Sequence, residues 1–104
     1  MDSKKALQTS LMLDMSGFFK VFGDPTRLSI LQCLKDRGLS DVTTIVEAVG
    51  ASQSTVSQHL KLLKINRLVK ATRDGAHMLY SLSDDHIASI LMLGREHVLE
   101  KEEK

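Results

Sequence analysis

Apolar residues recur at helical spacing along most of the chain, and short polar or glycine-containing breaks separate the runs. From about 4 to 22 they recur every three or four positions, which predicts a first helix. Gly23 ends that segment, and Asp24-Pro25 opens a second helix, with aspartate as N-cap and proline at the first helical position. Gly38 closes the second helix. Its predicted apolar face consists of Leu28, Leu31 and Leu34.

Two short helices follow, joined by a tight turn. Asp41 is the predicted N-cap of a helix over 42–49, and Gly50 suits a left-handed C-terminal cap. Ser52 then caps a helix that continues to about 65. The apolar stripe of this later helix consists of Val56, Leu60 and Leu63. Two short helices around a glycine turn are typical of a helix-turn-helix.

The pattern changes after 65 to two extended runs. Segments 68–73 and 76–81 flank Asp74-Gly75, a dipeptide that favours a hairpin because it tolerates positive φ at both central positions. A hairpin directly after a helix-turn-helix forms a wing, and Ser83 then caps a last helix to about 100. The predicted fold is therefore mainly α with a β-hairpin wing, a winged helix-turn-helix in the order α-α-α-α-β-β-α.

The length of 104 residues predicts a single domain over 1–104 with a modest core. No apolar run is long enough to span a bilayer, and no signal-peptide pattern is present, so no membrane partner is expected. The lone Cys33 excludes an intramolecular disulfide and fits a cytoplasmic location. Its position beside Ile30 and Leu34 predicts a small buried residue, with oxidation or pairing between subunits as the alternative.

The net charge of +1 conceals an uneven distribution. Residues 51–80 combine a single acid, Asp74, with Lys61, Lys64, Arg67, Lys70 and Arg73. Residues 81–104 are acidic instead. A basic middle suits nucleic acid and an acidic end suits a cation, although a solvated surface with local fluctuation explains the charges alone equally well.

The helix predicted over 52–65 carries short hydroxyl and amide side chains at its N-terminal end. Such groups hydrogen-bond base edges in the major groove, which the N-terminal end of a recognition helix enters. The candidate base-contacting residues are Gln53, Ser54, Thr55, Ser57 and Gln58. The candidates for phosphate or minor-groove contacts are His59, Lys61 and Lys64 on the helix and Arg73 and His77 on the wing. An amphipathic helix with a polar outer face explains the helix alone, but the turn and the wing favour DNA binding.

The last helix carries an acidic and histidine pattern that one chain cannot use by itself. His86 and His97 lie about 16 Å apart along a helix, whereas metal–ligand bonds are only about 2 Å long. Two antiparallel copies remove this difficulty. Pairing His86 with His97 of a second copy places the two-fold axis between residues 91 and 92, and pairing Asp84 with Glu100 places it at 92. The agreement predicts two symmetric metal sites across a homodimer interface.

The donor set indicates which ion such a site binds. His86 and His97 share one helix face, and Glu100 follows His97 at the i, i+3 position. Two imidazoles and two carboxylates without a thiolate suit tetrahedral Zn²⁺, with Co²⁺ as a substitute. Taken singly, Asp84 fits a residue that complements the helix dipole, and the others fit a solvated face. The joint spacing favours the metal site.

Three segments resemble the ArsR/SmtB family of bacterial winged-helix repressors, and the resemblance covers about 15 to 100. The segments are Phe22-Gly23-Asp24-Pro25-Thr26-Arg27-Leu28, then Ser52-Gln53-Ser54-Thr55-Val56-Ser57-Gln58-His59-Leu60-Lys61-Leu62-Leu63, and then Gly75 with Tyr80-Ser81-Leu82. The resemblance implies a homodimer, operator double-stranded DNA as partner, and release of that DNA when an inducer binds.

The resemblance also extends to the last helix. Zinc sensors of the family carry the pattern Asp-x-His-x10-His-x-x-Glu or His there, with two ligands from each subunit, and Asp84, His86, His97 and Glu100 match it. The family's other sensing site uses paired cysteines on the first helix of the helix-turn-helix. That segment here, Val42-Thr43-Thr44-Ile45-Val46-Glu47, contains none.

These patterns predict a metal-responsive repressor, with zinc as the metal. The first and last helices are predicted to form the dimer interface, and metal that binds at this interface is predicted to release operator DNA. The alternative is an ArsR-type repressor that responds to a redox or small-molecule signal without a metal site. An enzyme is disfavoured because four protein ligands leave no open position for water. A protein that coats DNA non-specifically needs more positive charge.

Overall fold

The computed structural model describes the backbone of residues 3–102 and the side chains of residues 3–100. Its elements are α1 (Ser3–Phe22), α2 (Pro25–Arg37), α3 (Val42–Val49), α4 (Gln53–Ile65), β1 (Val69–Asp74), β2 (His77–Leu82) and α5 (Asp85–Glu102). This order confirms the predicted winged helix-turn-helix. The acidic residues beyond Glu100 that contributed to the predicted charge asymmetry lie outside the described side chains.

Side-chain caps fix the starts of α2, α3 and α4 at the predicted residues. In each case an oxygen of the residue before the helix accepts a hydrogen bond from an N–H three positions later, which pairs a donor that a helix start leaves free. The pairs are Asp24 with Arg27 N (3.0 Å), Asp41 with Thr44 N (2.9 Å) and Ser52 with Thr55 N (3.1 Å). Gly50 closes α3 in the left-handed conformation, as predicted.

The last helix begins differently from the prediction, which gave Ser83 as its cap. Oδ1 of Asp84 accepts hydrogen bonds from the backbone N–H groups of His86 at 2.9 Å and Ile87 at 3.3 Å. Asp84 is therefore the N-cap, and its negative charge also suits the positive end of the helix dipole. Ser83 instead donates its backbone N–H to the carbonyl of Leu68 at 3.0 Å and closes the base of the hairpin.

The tip of the wing is shifted by one residue from its predicted position. Asp74 pairs with His77, so the two-residue loop is Gly75-Ala76 rather than Asp74-Gly75. Gly75 has a φ of 62°, and Ala76 does not have a positive φ. A type II′ turn requires this combination, with glycine at its first central position, whereas the prediction assumed positive φ at both positions.

A backbone bridge attaches the wing to the helical body. The N–H of Ser40 donates to the carbonyl of Tyr80 at 3.0 Å, and the N–H of Tyr80 donates to the carbonyl of Ser40 at 2.8 Å. Ser40 is buried, so the bridge pairs both of its backbone groups where water is excluded. The connection between α2 and α3 thereby holds β2 in place.

The core lies between α2, α3, α4 and the base of the hairpin. Its fully buried large side chains are Ile30, Leu31, Leu34, Ile45, Val56, Leu60, Leu63, Leu68 and Val69. Cys33 is buried, as predicted, and its burial raises the pKa of the thiol. Leu28 was predicted to share the apolar face of α2 but is partly exposed. The buried face of α2 contains Ile30 in its place, together with the predicted Leu31 and Leu34.

The long terminal helices contribute little to this core. Among the described side chains, α1 and α5 bury only Phe22, Ile87 and Leu91 in it, and Phe18, Val21 and Ile90 pack against it while partly buried. Most of the apolar surface of α1 and α5 therefore faces away from the body of the same chain. No described helix combines the length and the apolar character that a membrane span requires.

Arg67 follows α4 in the left-handed conformation, with a φ of 64°. Its N–H donates to the carbonyl of Lys64 at 3.1 Å, and the next N–H, of Leu68, donates to the carbonyl of Leu63 at 2.9 Å. These bonds pair carbonyls that a helix end leaves free, as glycine C-terminal caps do. A side chain with a Cβ in this conformation costs about 1–2 kcal/mol, a strain that glycine does not have.

We expect Arg67→Gly to raise the free energy of unfolding by about 0.5–1 kcal/mol. The substitution removes the backbone strain, but glycine loses more conformational entropy on folding, which offsets part of the added stability. Urea denaturation at fixed protein concentration measures the change. Lys61→Gly, at an exposed position within α4, is the control and should lower the same free energy by about 1 kcal/mol. A loss of stability in Arg67→Gly would contradict the strain at this position.

Candidate nucleic-acid interface and metal ligands

α4 packs its apolar stripe on the core and leaves a polar face outward. The residues of that face that are exposed are Gln53, Ser54, Ser57, Gln58, Lys61 and Lys64. Thr55 differs from the other predicted base-contacting residues. It is half-buried, and its hydroxyl accepts a hydrogen bond from Oγ of Ser52 at 2.9 Å, so it takes part in the helix cap.

His59, predicted to contact phosphate, also has a partner inside the protein. Its ring is half-buried, and Nδ1 lies 3.4 Å from Nη1 of Arg27 in α2. Nε of the same Arg27 donates to the carbonyl of Val21 at 2.6 Å. The periodicity of the sequence did not indicate this contact, because it joins side chains of two helices.

The wing places its two predicted DNA-contacting residues in solvent. Arg73 and His77 are both exposed near the hairpin tip. His77 also lies near the start of α3. There the backbone N–H of Thr44 holds the pKa of Asp41 below its ordinary value, and the charge of His77 adds a smaller contribution in the same direction. Both wing residues are accessible to a DNA backbone.

The four predicted metal ligands form two groups on α5. Nδ1 of His86 lies 3.5 Å from Oδ1 of Asp84, and the His86 side chain is 91% exposed. His97 and Glu100 are exposed further along the helix. Among the described residues, no three His, Cys, Asp or Glu side chains of one chain are grouped closely enough to hold a metal ion. The chain thus brings Asp84 to His86, while joining them to the other pair requires a second chain.

α1 and α5 also present large apolar side chains to solvent. These are Leu7, Leu11, Met12, Leu13, Met15 and Phe19 of α1, and Met92, Leu93, Val98 and Leu99 of α5. A groove of about 550 Å³ between α2 and α5 is lined by Phe22, Leu28, Ile90, Gly94, Val98 and Leu99, among others. Extended apolar surfaces of this kind mark protein–protein interfaces.

The second helix of the helix-turn-helix has an outer face of hydroxyl, amide and lysine side chains, and a two-stranded wing follows it. This combination defines the class of winged helix-turn-helix DNA-binding domains. Residues 24–71 match the family model for bacterial regulatory proteins of the arsR family. The chain belongs to the ArsR family. It is accordingly a regulatory protein and not an enzyme.

Several known proteins are similar over most of the chain. The HTH-type transcriptional regulator MJ1325 of Methanocaldococcus jannaschii is 41% identical over 75 residues, which are 72% of this chain and 84% of that protein. A CadC homolog of Staphylococcus aureus, a cadmium resistance transcriptional regulatory protein, is 32% identical over 89 residues, 86% of this chain and 74% of that protein.

A solved structure resembles the whole fold. The homodimeric winged helix-turn-helix DNA-binding domain of Mb0332 from Mycobacterium bovis, a possible ArsR-family regulator, has a TM-score of 0.85 and 28% sequence identity. The match covers 99% of this chain and 92% of that one. The similarity includes the terminal helices as well as the helix-turn-helix and the wing.

Proposed function

We propose that this protein is a zinc-responsive transcriptional repressor, which binds operator DNA as a homodimer and releases it when Zn²⁺ binds between two α5 helices. The observation that carries the proposal is the separation of Asp84 and His86 from His97 and Glu100 on one exposed helix. The similarity to a cadmium resistance regulator supports a metal response in general.

The exposed apolar surfaces support the dimer. On α5, the residues that share a face with His86 and His97 by helical spacing include Ile90 and Leu93. Leu93 is 59% exposed in the single chain and lies close to the axis expected at 91–92. Antiparallel pairing through this face buries Leu93 and aligns the two ligand groups with their partners, as an isologous contact requires.

We expect Leu93→Glu to convert the dimer to a monomer, because it removes apolar burial and brings like charges together near the two-fold axis. Leu39→Glu is a matched control, since Leu39 is 58% exposed but lies outside α1 and α5. Sedimentation equilibrium measures the mass of each variant. A Leu93→Glu variant that remains dimeric to the same dilution as the control would contradict the α5 interface.

The donor set of the proposed site fits Zn²⁺. Two imidazoles and two carboxylates supply four nitrogen and oxygen ligands, the number that a closed tetrahedral zinc site uses. The capping bonds from the backbone N–H groups of His86 and Ile87 to Oδ1 hold the Asp84 carboxylate beside the His86 ring. When bound, Zn²⁺ would supply a cross-link between one chain's Asp84–His86 pair and the other chain's His97–Glu100 pair.

The effect on DNA follows from the relative orientation of the two protomers. Two recognition helices bind half-sites about 34 Å apart, so the angle between protomers decides whether both α4 helices fit successive major grooves. A ligand weakens DNA binding only if it binds more tightly to the arrangement that the operator does not favour. A cross-link between the α5 helices fixes that angle directly.

The proposal is tested with Co²⁺ as a spectroscopic probe and with DNA selected from a random double-stranded library by the wild-type protein. We expect intense visible bands of tetrahedral Co²⁺ that saturate at one ion per chain, and release of the selected duplex on addition of Zn²⁺. Bands without DNA release would overturn the regulatory role, and the absence of both would overturn the metal site.

The alternative trigger is a redox or small-molecule signal, and for the redox signal the candidate residue is Cys33. Its thiol is buried, and burial raises its pKa, so the thiolate that reacts with oxidants is disfavoured. A redox response therefore lacks the exposed, low-pKa cysteine that such sensors use. This contrast favours the metal response of α5 over a redox response.

A further inference from the structure

Arg27 connects three parts of the protein near the DNA-binding face. Its backbone N–H donates to the Asp24 carboxylate at 3.0 Å, and its Nε donates to the carbonyl of Val21 at 2.6 Å. The Val21 carbonyl lies in the last turn of α1, where helix carbonyls have no partner within the helix and favour a cation. Arg27 thus caps the end of α1 from the start of α2.

The other end of the same guanidinium reaches α4. Nη1 of Arg27 lies 3.4 Å from Nδ1 of His59, which belongs to the recognition helix. Because a guanidinium only donates hydrogen bonds, Nδ1 of a neutral His59 must be the acceptor. The ring proton is then on Nε2, and the contact selects one of the two tautomers of the imidazole.

We propose that Arg27 is a positioning residue for DNA binding: it holds His59 as the Nε2–H tautomer, which donates that proton to a phosphate oxygen of the DNA backbone. His59 is half-buried, so the ring is partly fixed while part of it stays in contact with solvent. The inference rests on the proposed DNA-binding role of α4.

The arrangement also provides a physical connection from α1 to α4. The same planar group caps the end of α1 and orients a side chain of the recognition helix. A shift of α1 relative to α2 therefore changes the position of the guanidinium and with it the His59 ring.

The tautomer is tested directly by the ¹⁵N–¹H spectrum of the imidazole rings at about pH 8, where an ordinary histidine is neutral. We expect a protonated Nε2 and an unprotonated Nδ1 for His59 in the wild-type protein. In Arg27→Gln we expect the preference to weaken toward a mixture. A proton on Nδ1 in the wild-type protein would overturn the proposal, whatever the DNA-binding result.

The role in DNA binding is tested by a double-mutant cycle on affinity for the selected duplex, measured below the unfolding transition of every variant. We expect Arg27→Gln to weaken binding about tenfold, as the loss of one charge-assisted contact does. In a His59→Ala background the same change should cost less than about twofold, because Arg27 then has no ring to position. Arg37→Gln, the same substitution at the other end of α2, is the control and should leave affinity unchanged.

The possible failures are distinguishable. If the costs of Arg27→Gln and His59→Ala add fully, Arg27 does not act through His59 and the inference is wrong. If the wild-type protein selects no duplex from the library, the proposed function itself is wrong. A structural role of Arg27 alone would lower the melting temperature without coupling the two substitutions in DNA affinity.

Discussion

Replacing His97 with alanine should abolish the response to Zn²⁺ and leave DNA binding intact. The substitution removes one of four proposed ligands from each site, so we expect metal affinity to fall by at least about 100-fold, more than the loss of an outer-shell partner causes. His97 is on α5 and outside the predicted DNA-contacting residues of α4 and the wing, so binding of the selected duplex without metal should change less than about twofold.

Competition for Zn²⁺ with a chelating dye, followed by fluorescence anisotropy of the labelled duplex with and without metal, measures both quantities. His77→Ala is the matched control, because His77 is also an exposed histidine but lies on the wing. That variant should keep the metal response even if its DNA affinity falls. An unchanged zinc dependence in His97→Ala would show that the site lies elsewhere.

Leu60→Ala should have the largest effect on stability. Leu60 is 1% exposed in the core face of α4, and the loss of a buried leucine side chain costs about 2–5 kcal/mol through lost transfer energy and the cavity left behind. A domain of this size has a total stability of about 5–15 kcal/mol, so the variant should unfold at a much lower urea concentration.

Leu62→Ala is the control on the same helix. Leu62 is 37% exposed, so its truncation should cost less than about 1 kcal/mol. Both variants are compared at one protein concentration, because the stability of a dimer depends on it. Equal losses for the two variants would contradict the orientation of α4 described above.

The local features of the fold were predictable from sequence because their causes lie within a few residues. Asp41, Ser52 and Gly50 cap α3 and α4 as predicted, since a cap depends on a side chain and an N–H three positions away. The period of three and four in α4 likewise predicted the buried Val56, Leu60 and Leu63.

The corrected features depend on competition between neighbouring residues. Both Ser83 and Asp84 are good N-caps, but the Ser83 backbone pairs with Leu68 at the base of the hairpin, so Asp84 caps α5. In the wing, pairing of Asp74 with His77 leaves Gly75 and Ala76 in the loop, although Asp-Gly alone favours the other register. Propensity rules rank such options but do not include the strand pairing that decides between them.

Contacts between distant elements carried no sequence signal of their own. The bridge of Ser40 with Tyr80 and the contact of Arg27 with His59 each join segments that only the packed fold brings together. The metal ligands are an intermediate case. The spacing of His86 and His97 defines a symmetry axis, whereas the contact of the two pairs depends on how two chains pack and remains a prediction.

The small contribution of α1 and α5 to the core of their own chain has a consequence for regulation. If pairing of these helices joins two DNA-binding domains, then the concentration of dimers able to occupy a full operator rises with the second power of chain concentration while single chains predominate. Halving the amount of protein would then reduce the concentration of dimers about fourfold. The concentration of the chain itself would then regulate occupancy of the operator, in addition to the ion that the chain binds.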